Sequence, residues 1–364
     1  MKKCTYIIAE IGVNHNGSLA LAKKLINMCK KCGADAVKFQ TYKTDLIVDQ
    51  NIEQASYQKK NTTNETQYKM LKKYELSHKE FEILFNYCDK LRIDFLSTAH
   101  DIDSLKFLVK SLKVKTIKIA SPDITNIQLL LHAAITGKKI IISCGMSSLQ
   151  DIDVALSAIA YGYVNKNLKY NPKKHCNMFN KYNNVLLKKV KLLHCTSDYP
   201  APLNDLNLDV IENLQNRYNI DIGYSDHSHD LATPLIAVSK GAKVIETHVT
   251  LDNSLSGPDH KISFDYCDFE KYVSNIRKAE MMLGKKNKKV TISERKNVKN
   301  VKKYLFFRKN INKNTLITDD YIIAKRCHKG IPSSNYPAVL NTLTKKDFKK
   351  DDLIDMKYLR VKHG

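Results

Sequence analysis

The chain has 364 residues, 43% of them hydrophobic, which fits one large soluble domain plus a small one. No apolar run approaches the ~20 residues that a membrane span needs. A formal charge of +23 would gather anionic ligands, but the lysines are scattered through every segment without a nucleic-acid motif, so no nucleic-acid partner is expected.

The first ten residues carry basic groups but no apolar stretch of secretory length before Glu10, so a cytoplasmic protein is expected. The 9 cysteines are odd in number, and no disulfide framework is expected in that compartment. Short β-branched runs then alternate with helical patterns from residue 5 to about residue 284. The predicted strands are Tyr6–Ile11, Ala36–Phe39, Asp94–Ser97, Thr116–Ala120, Lys139–Cys144, Val190–Cys195, Ile220–Tyr224 and Lys243–Thr247. Eight βα units in a row predict an α/β fold of the TIM (β/α)8 type over residues 1–284. No Gly-x-Gly-x-x-Gly follows the first strand, which argues against a Rossmann sheet.

Between the strands, Leu19–Cys32 reads as the first barrel helix, with Leu21, Leu25, Met28 and Cys29 on one face and Gly33 as its stop. Cys29 and Cys32 form a Cys-x-x-Cys pair, but no second pair follows at zinc-site spacing, so they read as packing residues. Residues 50–73 are polar and predict an extended loop on the catalytic rim, and residues 165–184 read as an insertion. Residues 285–303 predict a basic linker. Beyond it, residues 304–364 predict a small domain of short strands and turns, carried by Lys309–Thr318, Tyr321–Lys325, Thr344–Lys350 and Leu353–Tyr358.

Active sites of such barrels form where strands end. The predicted exits carry Glu10, Asn14 and His15, then Lys38 and Gln40, Thr98, Lys118 and Ser121, and Ser143. The last three strands add Thr196, Ser197 and Tyr199, then Ser225, Asp226 and His227, then Glu246 and His248. Two lysines and several hydroxyls supply the charge and short donors that a phosphate wants. His227 and His248 sit on adjacent exits, where they suit one shared divalent metal, with His229 a rival to His227.

The motifs around these residues resemble the sialic acid synthase family. They are Ala-Glu-Ile-Gly-x-Asn-His-Asn-Gly at 9–17, Val-Lys-Phe-Gln-Thr at 37–41, Lys-Ile-Ala-Ser at 118–121 and Ser-Cys-Gly-Met at 143–146. Leu-His-Cys-Thr-Ser-Asp-Tyr-Pro at 193–200, Gly-Tyr-Ser-Asp-His at 223–227 and Gly-Pro-Asp-His at 257–260 continue the series. The resemblance implies a phosphoenolpyruvate-dependent enzyme whose barrel is followed by an antifreeze-like SAF (β-clip) domain. It implies that Lys38, Thr98, Lys118, Ser121, Ser143, Ser197 and Ser225 hold phosphoenolpyruvate, and that Gln40, Asp123, Tyr199 and Asp259 hold the sugar. His227 and His248 would hold the metal, manganese first, with magnesium or cobalt as alternatives, and Glu10 would stand beside the reacting carbons as a base or an electrostatic group. Arg326 would complete the sugar site across a homodimer with exchanged SAF domains.

The expected reaction joins phosphoenolpyruvate, N-acetylmannosamine and water into N-acetylneuraminate and phosphate. The alternative substrate is a 2,4-diacetamido-6-deoxy sugar, giving legionaminate or pseudaminate. A metal aldolase on the same barrel and a glycan- or nucleic-acid-binding module are the readings from other classes. Some positions depart from the family pattern. Ser121-Pro122-Asp123 stands where many members have Ser-Gly-Glu, and Arg326-Cys327-His328-Lys329 stands where the family favours Arg-Pro-Gly.

Overall fold

In the computed structural model, which describes residues 5–55, 58–59 and 66–361, eight parallel strands close into a barrel. They are β1 Tyr6–Glu10, β2 Ala36–Thr41, β3 Asp94–Ala99, β4 Thr116–Ile119, β5 Lys139–Ser143, β6 Val190–Cys195, β7 Asp221–Asp226 and β8 Val244–His248. They follow one another around the ring in chain order, and β8 pairs back onto β1. The expected TIM barrel is therefore the fold. Four strands run further at their exits than hydrophobicity alone predicts, because polar residues continue the ladder: Gln40 pairs with Thr98, Thr41 with Ala99, Asp226 with Thr247, and His248 with Glu10.

Residues two apart on a strand face the same side, so each strand sends a column of side chains up the barrel interior. At the bottom, Ile8, Ala36, Leu96, Ile141, Leu193 and Val244 pack into a closed apolar plug. Two residues further along the same strands come Glu10, Lys38, Thr98, Ser143, Cys195 and Glu246, joined by Lys118 and Ser225 from β4 and β7. Two further again come Gln40, His100, Ser197, His227 and His248. The interior is thus an apolar plug, a charged floor and a polar rim. The outer faces of the strands bury Ile7, Ala9, Val37, Phe39, Ile117 and Ile142 against the surrounding helices.

The helix Leu19–Cys32 forms where its pattern predicts. Ser18 accepts a hydrogen bond from the Leu21 N–H, and Gly33 ends the helix at φ 88°, a left-handed conformation that glycine adopts without strain. Its buried face is Ala22, Leu25, Ile26, Met28, Cys29 and Cys32, so both cysteines pack against the core, while Leu21 stays partly exposed. The expected loop of residues 50–73 is not simply extended: residues 56–57 and 60–65 lie outside the described residues, and Gln67–Tyr74 is a helix capped by Thr66 that buries Met70. The insertion is folded too: Met178–Lys181 and Asn183–Lys189 are short helices that bury Phe179 and Leu186.

The chain divides into two compact units, residues 1–284 and 285–364. In the second, Ile292–Val301 is a helix where the sequence predicts a linker, and a capping box between Thr291 and Glu294 starts it. There β9 Lys303–Phe307 pairs antiparallel with β10 Ile322–Arg326, and β11 Thr342–Thr344 with β12 Leu359–Val361. The unit has its own core of Leu305, Phe307, Ile311, Ile317, Phe348 and Ile354. The predicted strand pieces there are displaced, because β9 begins at the end of the basic run rather than beyond it. Among the described residues no helix is long and apolar enough to cross a membrane.

Candidate active site

A cavity of about 500 Å³ opens at the strand exits of the barrel. Its floor is a buried cluster of two lysines and two glutamates. Lys118 Nζ donates to Ser143 Oγ at 2.7 Å and lies 3.5 Å from Glu246 Oε1. Lys38 Nζ is in contact with Glu10, lies 3.5 Å from the same Glu246 oxygen, and is 3.4 Å from Thr98 Oγ1. Ser225 Oγ donates to Glu246 Oε1 at 3.0 Å, while Glu246 Oε2 is buried with no hydrogen-bond partner among the described residues. Four opposite charges held this closely, away from water, attract one another far more than they would on the surface.

Their neighbourhoods separate the two carboxyls. Burial pushes the Glu10 carboxyl above its usual range, against the pull of Lys38 and with the push of Glu246. Burial acts the same way on Glu246, but Lys118 and Lys38 overcome it and hold that carboxyl at about 2. Asp259, on the loop after β8, is pushed up to about 7 by burial and by Glu10. Burial thus raises two carboxyls, Glu10 and Asp259, above their ordinary range, while a third, Glu246, is held well below it.

Hydroxyls converge on one corner of the floor. Ser121 Oγ accepts from the Gly145 N–H at 3.0 Å. A side-chain carbon on Gly145 would stand 2.2 Å from Ser197 Oγ and 2.8 Å from Cys195 Sγ, so only glycine lets these groups draw together. With Ser143 and Ser225 beside them, this corner offers short donors next to Lys118.

The rim holds the imidazoles. His227 Nδ1 donates to the Thr196 carbonyl at 2.7 Å, which leaves Nε2 with its lone pair, 3.3 Å from Ser225 Oγ and 3.4 Å from the Tyr199 hydroxyl. The Tyr199 ring stacks on His227 with centroids 4.3 Å apart. His248 Nδ1 is buried with no hydrogen-bond partner among the described residues, and Asp259 lies 3.7 Å from it. The two imidazole rings lie 5.7 Å apart. Burial lowers the pKa of both, so both imidazoles are neutral at neutral pH. Two neutral imidazoles beside a charged carboxylate fit a divalent ion. No group of three such side chains gathers at ligating distance among the described residues, so substrate or water would complete the shell. His229 is elsewhere: at φ 56° the backbone turns there, and its ring packs on Phe264 at 4.7 Å.

Thirteen expected residues line the cavity: Glu10, Lys38, Gln40, Thr98, Lys118, Ser121, Ser143, Ser197, Tyr199, Ser225, His227, His248 and Asp259. Asp123 stands behind the wall, where its Oδ2 meets His100 Nδ1 at 3.0 Å. Arg326 ends β10 in the second unit and is exposed. Asn14 and His15 are buried outside the cavity. Asn14 Nδ2 donates to the Val249 carbonyl at 2.9 Å and to Ser263 Oγ at 2.7 Å, bracing the loop that carries Asp259. The wall also contains His100, Gln58, Gln67, Met70 and Met146, which the sequence reading leaves without a role. For His100 a signal exists: it stands two residues past Thr98 on the inward face of β3.

Residues 25–288 match the model of the NeuB family. N,N'-diacetyllegionaminic acid synthase of Campylobacter jejuni is 39% identical over 355 residues, covering 97% of this chain and 99% of that protein. N,N'-diacetyllegionaminic acid synthase of Legionella pneumophila is 40% identical over 338 residues, covering 93% of this chain and 89% of its own. Among solved structures, N-acetylneuraminic acid (sialic acid) synthetase from Leptospira borgpetersenii, in complex with citrate, is 33% identical and superposes with a TM-score of 0.65. That match covers 81% of this chain and 90% of the Leptospira chain.

Proposed function

We propose, from the premise that this chain belongs to the NeuB family, that it condenses phosphoenolpyruvate and water with an open-chain acylated amino sugar, and that the sugar is a 2,4-diacetamido-6-deoxy hexose. The observation that carries the reading is the charged floor with its hydroxyl corner, set directly beneath two neutral imidazoles. The sequence expectation put N-acetylmannosamine first. The alternative substrate gains weight because the relatives at 39% and 40% identity are both named legionaminic acid synthases.

In the reaction, carbon 3 of phosphoenolpyruvate attacks the sugar aldehyde and water adds to carbon 2. The C–O bond at carbon 2 then breaks and phosphate leaves with its bridging oxygen, while the water oxygen stays as the carbon-2 carbonyl and its protons pass to the new alcohol and the phosphate, so the three reactants give an α-keto acid and inorganic phosphate. Lys38 and Lys118 offset the charges of phosphate and carboxylate, while Thr98, Ser121, Ser143, Ser197 and Ser225 fix their oxygens by charge-assisted hydrogen bonds. Glu10 and Asp259, both shifted toward neutral pH, are placed to take a proton from water and return one to the sugar oxygens. His227 and His248 would hold a divalent ion, which supplies a Lewis acid for the aldehyde oxygen when bound. Gln40 and Tyr199 border the remaining space and orient the sugar hydroxyls.

The test is phosphate release from phosphoenolpyruvate with N-acetylmannosamine and each diacetamido sugar in turn. The expected result is the highest kcat/KM with a diacetamido sugar. Release that needs no sugar, or no release with any of them, overturns the proposal.

The family reading extends to the tail. The second unit is the antifreeze-like SAF domain, and Arg326 from one subunit completes the sugar site of its partner in a homodimer. Arginine suits that task because its planar fork binds acyl and hydroxyl oxygens without losing charge. Chains carrying Arg326→Ala or Glu10→Ala should each be nearly inactive alone. Mixed so that subunits exchange, they should regain activity, because one site per mixed dimer then has both residues. No recovery after proven exchange would mean that Arg326 does not act across the dimer.

A further inference from the structure

One polar pair on the cavity wall has no part in the chemistry above. His100 follows the last residue of β3, and its backbone N–H donates to the Thr41 carbonyl at 3.2 Å. Its Nδ1 meets Asp123 Oδ2 at 3.0 Å, and Asp123 is fixed in turn by the 3-10 turn Ser121–Asp123 after β4. A carboxylate oxygen accepts, so the ring proton sits on Nδ1, and in the neutral imidazole Nε2 is left as an acceptor. His100 lines the cavity and Asp123 does not. The arrangement therefore aims one fixed acceptor at whatever fills the space.

Its place in the ring says what that is. In the closed eight-stranded order, β3 and β4 lie across the barrel from β7 and β8, which carry His227 and His248. A sugar whose aldehyde faces the two imidazoles extends its other end toward β3 and β4. The wall there is mixed. The Tyr42 ring meets His100 edge-on at 6.2 Å, and the Tyr42 hydroxyl donates to the Leu71 carbonyl at 3.0 Å, which ties His100 to the helix Gln67–Tyr74. That helix places Met70 and Leu71 on the same cavity, together with Gln67, whose Nε2 donates to Gln58 Oε1 at 3.3 Å. An acceptor beside apolar side chains suits an amide N–H next to methyl groups better than a hydroxyl-rich chain, whose extra donors and acceptors would lose water without replacement.

We propose that His100, oriented by Asp123, is a specificity residue that accepts a hydrogen bond through Nε2 from the amide N–H of the sugar's second acylamino group, the one remote from the aldehyde. The inference rests on the diacetamido reading above and assigns that preference to one side chain. The leaving phosphate and the new carbon–carbon bond are untouched by it. His100 thus discriminates between sugars without taking part in bond making.

The experiment compares kcat/KM for a 2,4-diacetamido-6-deoxy sugar and for N-acetylmannosamine, at saturating phosphoenolpyruvate. The proteins are the unchanged one, His100→Phe, His100→Gln and Asp123→Ala. Phenylalanine keeps a ring against Tyr42 and removes the acceptor. The preference for the diacetamido sugar should fall about tenfold in His100→Phe, the size expected for one lost hydrogen bond to a buried amide. His100→Gln, which keeps an acceptor at that wall, should recover part of it. Asp123→Ala leaves the imidazole but frees its tautomer, and its preference should fall less than in His100→Phe; this variant carries the test if the phenylalanine protein melts early. An equal loss on both sugars, or a rise in the KM for phosphoenolpyruvate alone, would overturn the proposal. If the unchanged protein rejects every diacetamido sugar, the functional reading fails first and takes this inference with it.

Discussion

Removing divalent metal should lower turnover by about a thousandfold or more, because a Lewis acid at a developing alkoxide contributes several kcal/mol. Two imidazoles kept neutral by burial converge there, and among the described residues His248 Nδ1 has no hydrogen-bond partner. Manganese should restore the activity, with magnesium and cobalt as comparisons. Calorimetric titration of manganese into the stripped protein gives a readout that does not depend on turnover: His227→Ala should abolish binding, and His229→Ala should leave it intact, since the His229 ring packs on Phe264 instead. Full activity after chelation would sink the idea. Equal metal affinity in the two variants would show that the ligand assignment is wrong.

Lys118→Ala should raise the KM for phosphoenolpyruvate by roughly tenfold to a hundredfold, the loss expected for one charge-assisted contact to phosphate. The KM for sugar should change far less. A second effect follows from the floor. Lys118 is 2% exposed and shares Glu246 with Lys38, so removing it strands part of a buried negative charge. Breaking a buried pair costs about 3–5 kcal/mol, and the low end applies here because Lys38 still faces the carboxylate. The double variant Lys118→Met, Glu246→Gln should recover much of that stability and none of the phosphoenolpyruvate affinity. Denaturant unfolding of the two proteins separates these effects. A stable Lys118→Ala protein with unchanged KM for phosphoenolpyruvate would refute both.

Most of the barrel is legible from the sequence because its strands are β-branched runs between helices with clear stops, as Gly33 shows for the helix Leu19–Cys32. Strand ends are less so. Gln40 and Asp226 look like loop residues by composition, and only their pairing with Thr98 and Thr247 keeps them in the sheet. The helix Gln67–Tyr74 is hidden because it spans only 8 residues, is rich in polar side chains and buries only Met70. The helix Ile292–Val301 did carry a signal, the Thr291-x-x-Glu294 box, which the surrounding lysines obscure.

The site divides the same way. Motif residues at the exits locate the floor, since lysines and serines there have few other reasons to be buried. Glu246 stands at an exit in plain view, yet its tie to both Lys38 and Lys118 depends on strand neighbours that no local pattern reveals. His100 and Asp123 are 23 positions apart in the chain, and only closure of β3 against β4 brings them together.

The stacking of plug, floor and rim also bears on how such a protein changes over time. Each level is written by a separate set of positions, two residues apart on the same strands. A substitution at His100 alters what lies above the phosphate without moving Lys38, Thr98 or the apolar plug beneath them, whereas Gln40 donates to Glu10 of the floor and is tied to it. Ancestral drift, or a deliberate library that spares Gln40, His227 and His248, can therefore explore new acceptor sugars while the donor chemistry stays intact. Substitutions one level lower would meet the opposite fate, since the floor charges are mutually dependent and tolerate exchange only in matched pairs.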